Sequence, residues 1–428
     1  MAELAINGGP KVRTEPYPQY PRWTETDRKN LIEVLESNNW GGYPSPNTWA
    51  QRLNERFAEF HNAKYGIACS NGTDAIYIAL RAAGVKAGDE VITTPYTWIA
   101  TCQAPAYINA VPVFADVDPD TYCIDPDAVE AAVTDKTKAV VAVHLGCRFT
   151  DMDRLMQVAD KHGLTVIEDC AHAHGGQWNG KGAGSIGHIG TFSFQSSKLL
   201  TAGEGGMILT SDRMLMEKCH SLINCGRKES FYTNYEGELF GWNFRLSEWE
   251  AAVLCGQLEN LEEHTLLRQK NIRYLTDKLE TLEGIGTLKW DERITRLAAY
   301  QFIFKFLGDA WDIDRDRFSA ALAAEGFDND PYFYVPVYQS PLFTLRASDY
   351  PQIRDRYGEQ LTADQIDCPI SQRAAYQEAI WMHYPLFMGD ESDMDELITA
   401  IKKIRDNQAE LADSDIKAKR RYLSLIHI

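Results

Sequence analysis

Six short apolar runs, separated by helical stretches, constrain this chain more than anything else in it. They are "YGIAC" from Tyr65, "EVITT" from Glu90, "VPVFADV" from Val111, "AVVAVHL" from Ala139, "TVIED" from Thr165 and "GTFSFQ" from Gly190. Segments such as "TDAIYIALRAAGV" and "DMDRLMQVADKHG", between them, carry helical spacing. Strands with no polar face must be covered on both sides, and helical crossovers supply that cover. The expectation is an α/β fold with a mostly parallel central sheet. A long helical stretch opens at Ser247, and strand-like "AYQFIFKF" stands beyond Gly284. The reading therefore divides the chain into a large domain over 1–284, a smaller α+β domain over 285–410 and a tail over 411–428. The last six residues, "LSLIHI", match the translation of a sequencing adapter and are set apart from the argument.

Composition narrows the partners. A formal net charge of −18 disfavours nucleic acid and anionic membrane, so a phosphate-bearing ligand must be held by local amides and a few side chains. The nine cysteines are scattered without a Cys-x-x-Cys pair, which argues against a metal ribbon or a disulfide framework. With no basic-then-apolar leader and no apolar run long enough to span a bilayer, the expected location is cytoplasmic.

In an open parallel sheet, ligands collect where strand ends lead into helices. Four such places carry notable residues. "CSNGTDAI" puts Gly72 and Thr73 at a helix start, where free amides and the helix dipole suit a phosphate. The same residues also read as an ordinary turn capped by Asn71 or Thr73. Trp98, in "TPYTWIAT", could stack on an aromatic ligand or simply pack. Asp169, in "TVIEDCAHAHGG", ends an apolar strand and needs a cationic or hydrogen-bonding partner. A protonated pyridine nitrogen is one such partner, and His172 could meet a phenolate oxygen on the same ring or cap the turn. Lys198, in "FSFQSSKLLTAGEGG", could form a Schiff base with an aldehyde if desolvation lowers its pKa, with Ser193 as a phosphate ligand. Each signal alone is weak. A lysine for an aldehyde, an acid for a ring nitrogen and donors for a phosphate are together what pyridoxal 5'-phosphate requires.

On these segments, with "TWIAT" and "GWNFRLSE", the chain resembles the DegT/DnrJ/EryC1/StrS sugar aminotransferases from "LAINGGPKV" to about Glu410. The resemblance implies the aspartate aminotransferase-like type I fold of pyridoxal phosphate-dependent transferases. By similarity, Lys198 would hold the cofactor, Asp169 would pair with its ring nitrogen, and His172 would lie near its phenolic oxygen. Trp98 would stack on the ring, and Gly72, Thr73 and Ser193 would bind the phosphate. Asn243 matches an asparagine that reaches the neighbouring subunit's cofactor, which implies a homodimer. Within the family the chain looks most like the enzymes that aminate scyllo-inosose or 2-deoxy-scyllo-inosose from L-glutamine. An amino-acid donor and a keto-cyclitol or keto-sugar acceptor are the partners expected, with L-glutamate as the other donor and nucleotide-linked sugars as the other acceptors. "HLGCRFTDMD" departs from the family pattern at Cys147, and Tyr338 stands where relatives carry a histidine near the sugar. His383, in "WMHYPLF", resembles a histidine of the cyclitol branch, and Arg245 could meet a donor carboxylate or be solvated. No metal is expected.

Two other classes share the scaffold. Dehydratase relatives replace the lysine by histidine, and some cluster iron–sulfur cysteines; this chain keeps Lys198 and scatters its cysteines. A non-catalytic regulator would have little use for an intact Lys198/Asp169 pair. No Gly-x-Gly-x-x-Gly follows the first strand, which disfavours a Rossmann dehydrogenase.

Overall fold

The computed structural model describes residues 3–412, so the "LSLIHI" segment lies outside the described residues. Strands β1 (Tyr65–Cys69), β2 (Glu90–Thr93), β3 (Val111–Phe114), β4 (Thr137–Val143) and β5 (Thr165–Asp169) precede a short hairpin, β6 (Gln177–Trp178) and β7 (Lys181–Gly182). Strands β8 (Ile189–Ser193) and β9 (Gly206–Thr210) follow. Seven of these strands form one sheet in the order β1-β9-β8-β5-β4-β2-β3. Every neighbouring pair from β8 to β3 is parallel, and β9 runs against both of its neighbours. The sheet is thus mostly parallel, as the apolar runs predicted. Strand β9, from "GMILT", was not among the predicted runs; it returns from the Lys198 turn and separates β1 from β8.

Alternation along each strand divides the core. Ile67, Val91, Val141, Ile167 and Ile208 pack on one face of the sheet. Ala68, Ile92, Val140, Val166 and Met207 pack on the other. On the first face lies the helix that leaves β1, α3 (Gly72–Ala82), which touches β8, β9 and α4 (Ile99–Tyr107). On the other face α2 (Thr48–Phe60) packs on β1, and both α2 and α1 (Glu25–Ser37) pack on α5 (Glu248–Gln257). Both faces being covered is the physical reason that the strands carry no polar side. The long helical stretch is broken: α5 ends at Gln257 and α6 runs over Leu261–Leu279.

Beyond residue 284, β10 (Ile285–Thr287), β12 (Gln301–Phe306) and β13 (Ala379–His383) form an antiparallel sheet, while β11 (Ile294–Arg296) joins the β6–β7 hairpin. This region is locked to the large sheet by the segment that departs from the family pattern. Arg148 is buried and donates to three carbonyls, Leu288 (2.6 Å), Lys289 (2.8 Å) and Cys147 (2.8 Å). Gly146, at φ +62°, lets β12 approach; a Cβ there would meet Ile303 Cδ1 at 2.7 Å. Among the described residues, no helix is long and apolar enough to cross a membrane.

Candidate active site

A cavity of about 570 Å³ opens at the carboxyl ends of β1, β2, β5 and β8. It gathers Gly72, Thr73, Trp98, Asp169, His172, Ser193 and Lys198, seven of the residues singled out in the sequence. They arrive from four strand ends and the turns that follow them.

The α3 N-terminus forms one wall. Asn71 caps the helix by accepting from the Asp74 N–H (2.8 Å), which leaves the Gly72 and Thr73 N–H groups without a hydrogen bond among the described residues. Unfilled amides at a helix start carry positive potential and suit an anion. A Cβ on Gly72 would stand 2.5 Å from Ser193 Cβ, so only glycine lets α3 close on the end of β8. Two donors and a hydroxyl are thereby held side by side.

Asp169 forms the floor. Its Oδ2 accepts from Thr101 Oγ1 (2.8 Å) and its Oδ1 from the Ala171 N–H (3.1 Å). Burial pushes the carboxyl pKa up, and the two hydrogen bonds and the Lys198 charge pull it back. Lys198 sits half-buried beyond it. Desolvation lowers its amine to about 8, with Asp169 opposing. A lysine in that range is partly neutral near physiological pH and is therefore a nucleophile.

His172 is buried and stacks on Tyr300 at 4.2 Å between ring centroids. Its Nδ1 accepts from the Gly146 N–H (3.2 Å), and its Nε2 lies 3.2 Å from Tyr334 Oη. Burial, with the Lys198 charge behind it, holds the imidazole pKa well below the ordinary value. A neutral ring that accepts at Nδ1 carries its proton on Nε2. Trp98, exposed at the rim, lines the same cavity.

Four other residues singled out in the sequence do not line the cavity. Asn243 is exposed and pairs through its backbone with Asn224. Arg245 donates to Asn224 Oδ1 (3.0 Å). Tyr338 is buried in an apolar cluster beside Phe114 and accepts from Gln372 Nε2 (3.1 Å). His383 packs against Tyr384 at 4.4 Å behind the lysine turn, and burial, followed by the Lys198 charge, lowers its pKa to about 4. Sequence reasoning did not single out Thr101, Tyr300 or Tyr334. Thr101 stands one helical turn past Trp98 in "TWIAT", so a search for donors to Asp169 had a signal to follow. The tyrosines come from distant loops with none.

A lysine of lowered pKa, an acid and unfilled helix amides around one cavity at the strand ends of such a sheet are the groups that an aminotransferase-type α/β enzyme needs. The chain matches the DegT/DnrJ/EryC1/StrS aminotransferase family over residues 21–380 and belongs to it; it is an aminotransferase. A protein of Streptoalloteichus tenebrarius, whose name provisionally assigns it as an L-glutamine:3-amino-2,3-dideoxy-scyllo-inosose aminotransferase, is 45% identical over 95% of this chain and 98% of its own length. The L-glutamine:2-deoxy-scyllo-inosose aminotransferase of Streptomyces kanamyceticus is 38% identical over 96% of this chain and 99% of its own. Among solved structures, 3-amino-5-hydroxybenzoic acid synthase superposes with a TM-score of 0.80 at 29% identity, covering 93% of this chain and all of that one.

Proposed function

We propose that this enzyme uses pyridoxal 5'-phosphate to move an amino group from L-glutamine to a ketone on a cyclitol of the scyllo-inosose type. The observation that carries the reading is the cavity itself: Lys198, Asp169 and His172 stand across from the open α3 amides. The donor set fits the cofactor at both ends. Gly72, Thr73 and Ser193 would hold its phosphate and Asp169 its ring nitrogen, with His172 near its phenolic oxygen.

When bound, the cofactor supplies an aldehyde for the donor amine and a protonated ring that takes up the electrons left when the α-proton departs. Asp169 holds the proton on the ring nitrogen, which its buried carboxylate favours once a cation stands opposite. Lys198 Nζ would take the proton from the donor α-carbon and hold it for return to the carbon beyond the shared nitrogen, and its lowered pKa suits both transfers. Trp98 covers the ring face at the rim and keeps water from the reacting carbon.

The cavity's charge favours a cyclitol over a nucleotide-linked sugar. Among its described lining residues, Lys198 is the single lysine or arginine, whereas Asp74, Asp169 and Glu204 are acidic. Within one protomer a pyrophosphate would find no cation beyond Lys198 to meet it, whereas a polyhydroxylated ring needs only hydrogen bonds. The curated relatives named for scyllo-inosose substrates support the same choice. A donor carboxylate still requires a cation, and we place it in a second copy of the chain. Asn243 and Arg245 lie beside exposed Phe240 and Trp242, an apolar surface suited to a homodimer that would carry both into the partner's cavity.

The test is the absorption spectrum of the purified holoprotein on separate addition of L-glutamine and L-glutamate, followed by scyllo-inosose compounds. Glutamine should bleach the yellow cofactor band and a keto-cyclitol should restore it. A band that no amino acid bleaches would overturn the reading.

A further inference from the structure

We infer that Tyr300 is the positioning residue for Lys198: its ring face is the seat on which the ε-amine rests when it is bonded to nothing. The inference builds on the proposed role of Lys198 and goes beyond it. Lys198 Nζ lies over the Tyr300 ring, 4.4 Å from the centroid. The same ring stacks on His172, 4.2 Å between centroids with the planes 29° apart.

The ring is held from three directions. The Tyr300 N–H donates to the Gly146 carbonyl (3.1 Å), and the Gly146 N–H donates to His172 Nδ1 (3.2 Å). One residue therefore fixes both members of the stack. At the phenol end, Ser197 donates its hydroxyl proton to Gln195 Oε1 (2.7 Å), and the same oxygen accepts the Ser197 N–H (2.8 Å). Having spent its only hydroxyl proton, Ser197 Oγ must accept from the Tyr300 O–H (2.8 Å). Gln195 in turn accepts the Lys198 N–H on its carbonyl (2.9 Å). The lysine backbone and the seat for its amine are thus tied to one another through two residues.

Among the titratable groups around the amine, Asp169 attracts the ammonium and the histidines do not. The titratable groups that face the amine are Asp169 at the end of β5, His172 and His174 on the turn after it, and His383 at the end of β13. Burial lowers the pKa of all three histidines, so in their neutral form they offer the ammonium no countercharge. Asp169 is drawn toward Thr101 and the Ala171 N–H and, with the cofactor in place, toward the ring nitrogen. The Tyr300 face is then the attractive surface left for a charged amine, through its ring quadrupole. An amine held there stays beside the reacting carbon between proton transfers instead of rotating away.

The experiment uses cofactor-free protein. The pH dependence of Lys198 acetylation by trace acetic anhydride is read by mass spectrometry in wild type, Tyr300→Leu and Tyr300→Phe, with folding checked by circular dichroism. The ring face stabilises the charged amine, so its loss in Tyr300→Leu should move the Lys198 midpoint down by about half to one pH unit. Tyr300→Phe keeps the face and loses only the bond to Ser197, so it should recover most of that shift. In holoprotein, Tyr300→Leu should lower kcat more than it raises KM for the donor. A folded Tyr300→Leu with the wild-type midpoint would overturn the proposal. A wild-type midpoint near 10.5 rather than about 8 would overturn the reading of Lys198 beneath it, and the seat with it.

Discussion

The end of β5 carries two carboxylate–histidine pairs, one on each face of the sheet, and their chemistry differs completely. Glu168 is fully buried and accepts four hydrogen bonds: from His144 Nε2 (3.0 Å) and from the N–H groups of Gly184 (2.9 Å), Ile186 (2.8 Å) and Gly187 (2.7 Å). His144 in turn accepts the Thr150 N–H at Nδ1 (3.3 Å). Cys170 stands close enough that the three side chains could be mistaken for a metal site. Four donors already fill the capacity of that carboxylate. Asp169, the next residue, has two donors and faces a cavity that also holds a lysine and an imidazole. Residue type and burial do not separate the two pairs. Unfilled hydrogen-bonding capacity does, and it supports the proposed assignment of Asp169 to a ligand.

The largest effect expected belongs to the cation opposite Asp169. Lys198→Ala should lower turnover by about 10⁴-fold or more while leaving the circular dichroism unchanged. Sustained turnover would sink the assignment. In wild type, burial has lowered the Lys198 pKa, so the neutral amine gains as pH rises through about 8. Stopped-flow capture of pyridoxal phosphate by cofactor-free protein should accelerate through that pH and level off above it.

Asp169→Asn comes next. The amide can keep the Thr101 or Ala171 bond but cannot hold a proton on a ring nitrogen. Turnover should fall on the order of 10²–10³-fold with little change in thermal stability. Glu168→Gln should do the reverse. Its amide N–H₂ would face backbone donors and leave at least one of them buried and unpaired, at a cost of about 3 kcal/mol. The thermal midpoint should drop, and kcat per folded molecule should stay within a few-fold of wild type. If both variants lost activity equally without unfolding, the contrast between the faces would be wrong.

The neighbouring carboxylates also show what the sequence can convey. Their place was legible, since "TVIED" begins and ends where β5 does, and the other predicted runs coincide with β1 to β4 and β8 to within a few residues. Apolar continuity is a local property, and it reports double-sided burial directly. Strand β9 was missed because "GMILT" follows the glycine-rich turn and reads as its continuation. Asp169 was suggested by its place at the end of an apolar strand and by the family likeness, and nothing else local separates it from Glu168. The four donors that silence Glu168 come from residues 144 and 184–187, which no pattern links to it. Tyr300 and Tyr334 were invisible for the same reason. Each is one tyrosine in a loop until β12 docks on Gly146.

The smallest effect tests the far wall of the cavity. Gly72→Ala adds a methyl 2.5 Å from Ser193 Cβ and 3.1 Å from its Oγ. One of two things must move: the first turn of α3 or the end of β8. Both carry groups assigned to the phosphate, so either shift separates the Gly72 and Thr73 amides from the Ser193 hydroxyl. The strain of a single inserted methyl is modest, and the helix cap at Asn71 holds the rest of α3 in place. Pyridoxal phosphate affinity should therefore weaken by roughly ten-fold, read by equilibrium dialysis, with kcat at saturating cofactor nearly unchanged. A loss of kcat instead would mean that this wall also positions the reacting end, and that the division between an anchoring wall and a reactive floor is less clean than the geometry implies.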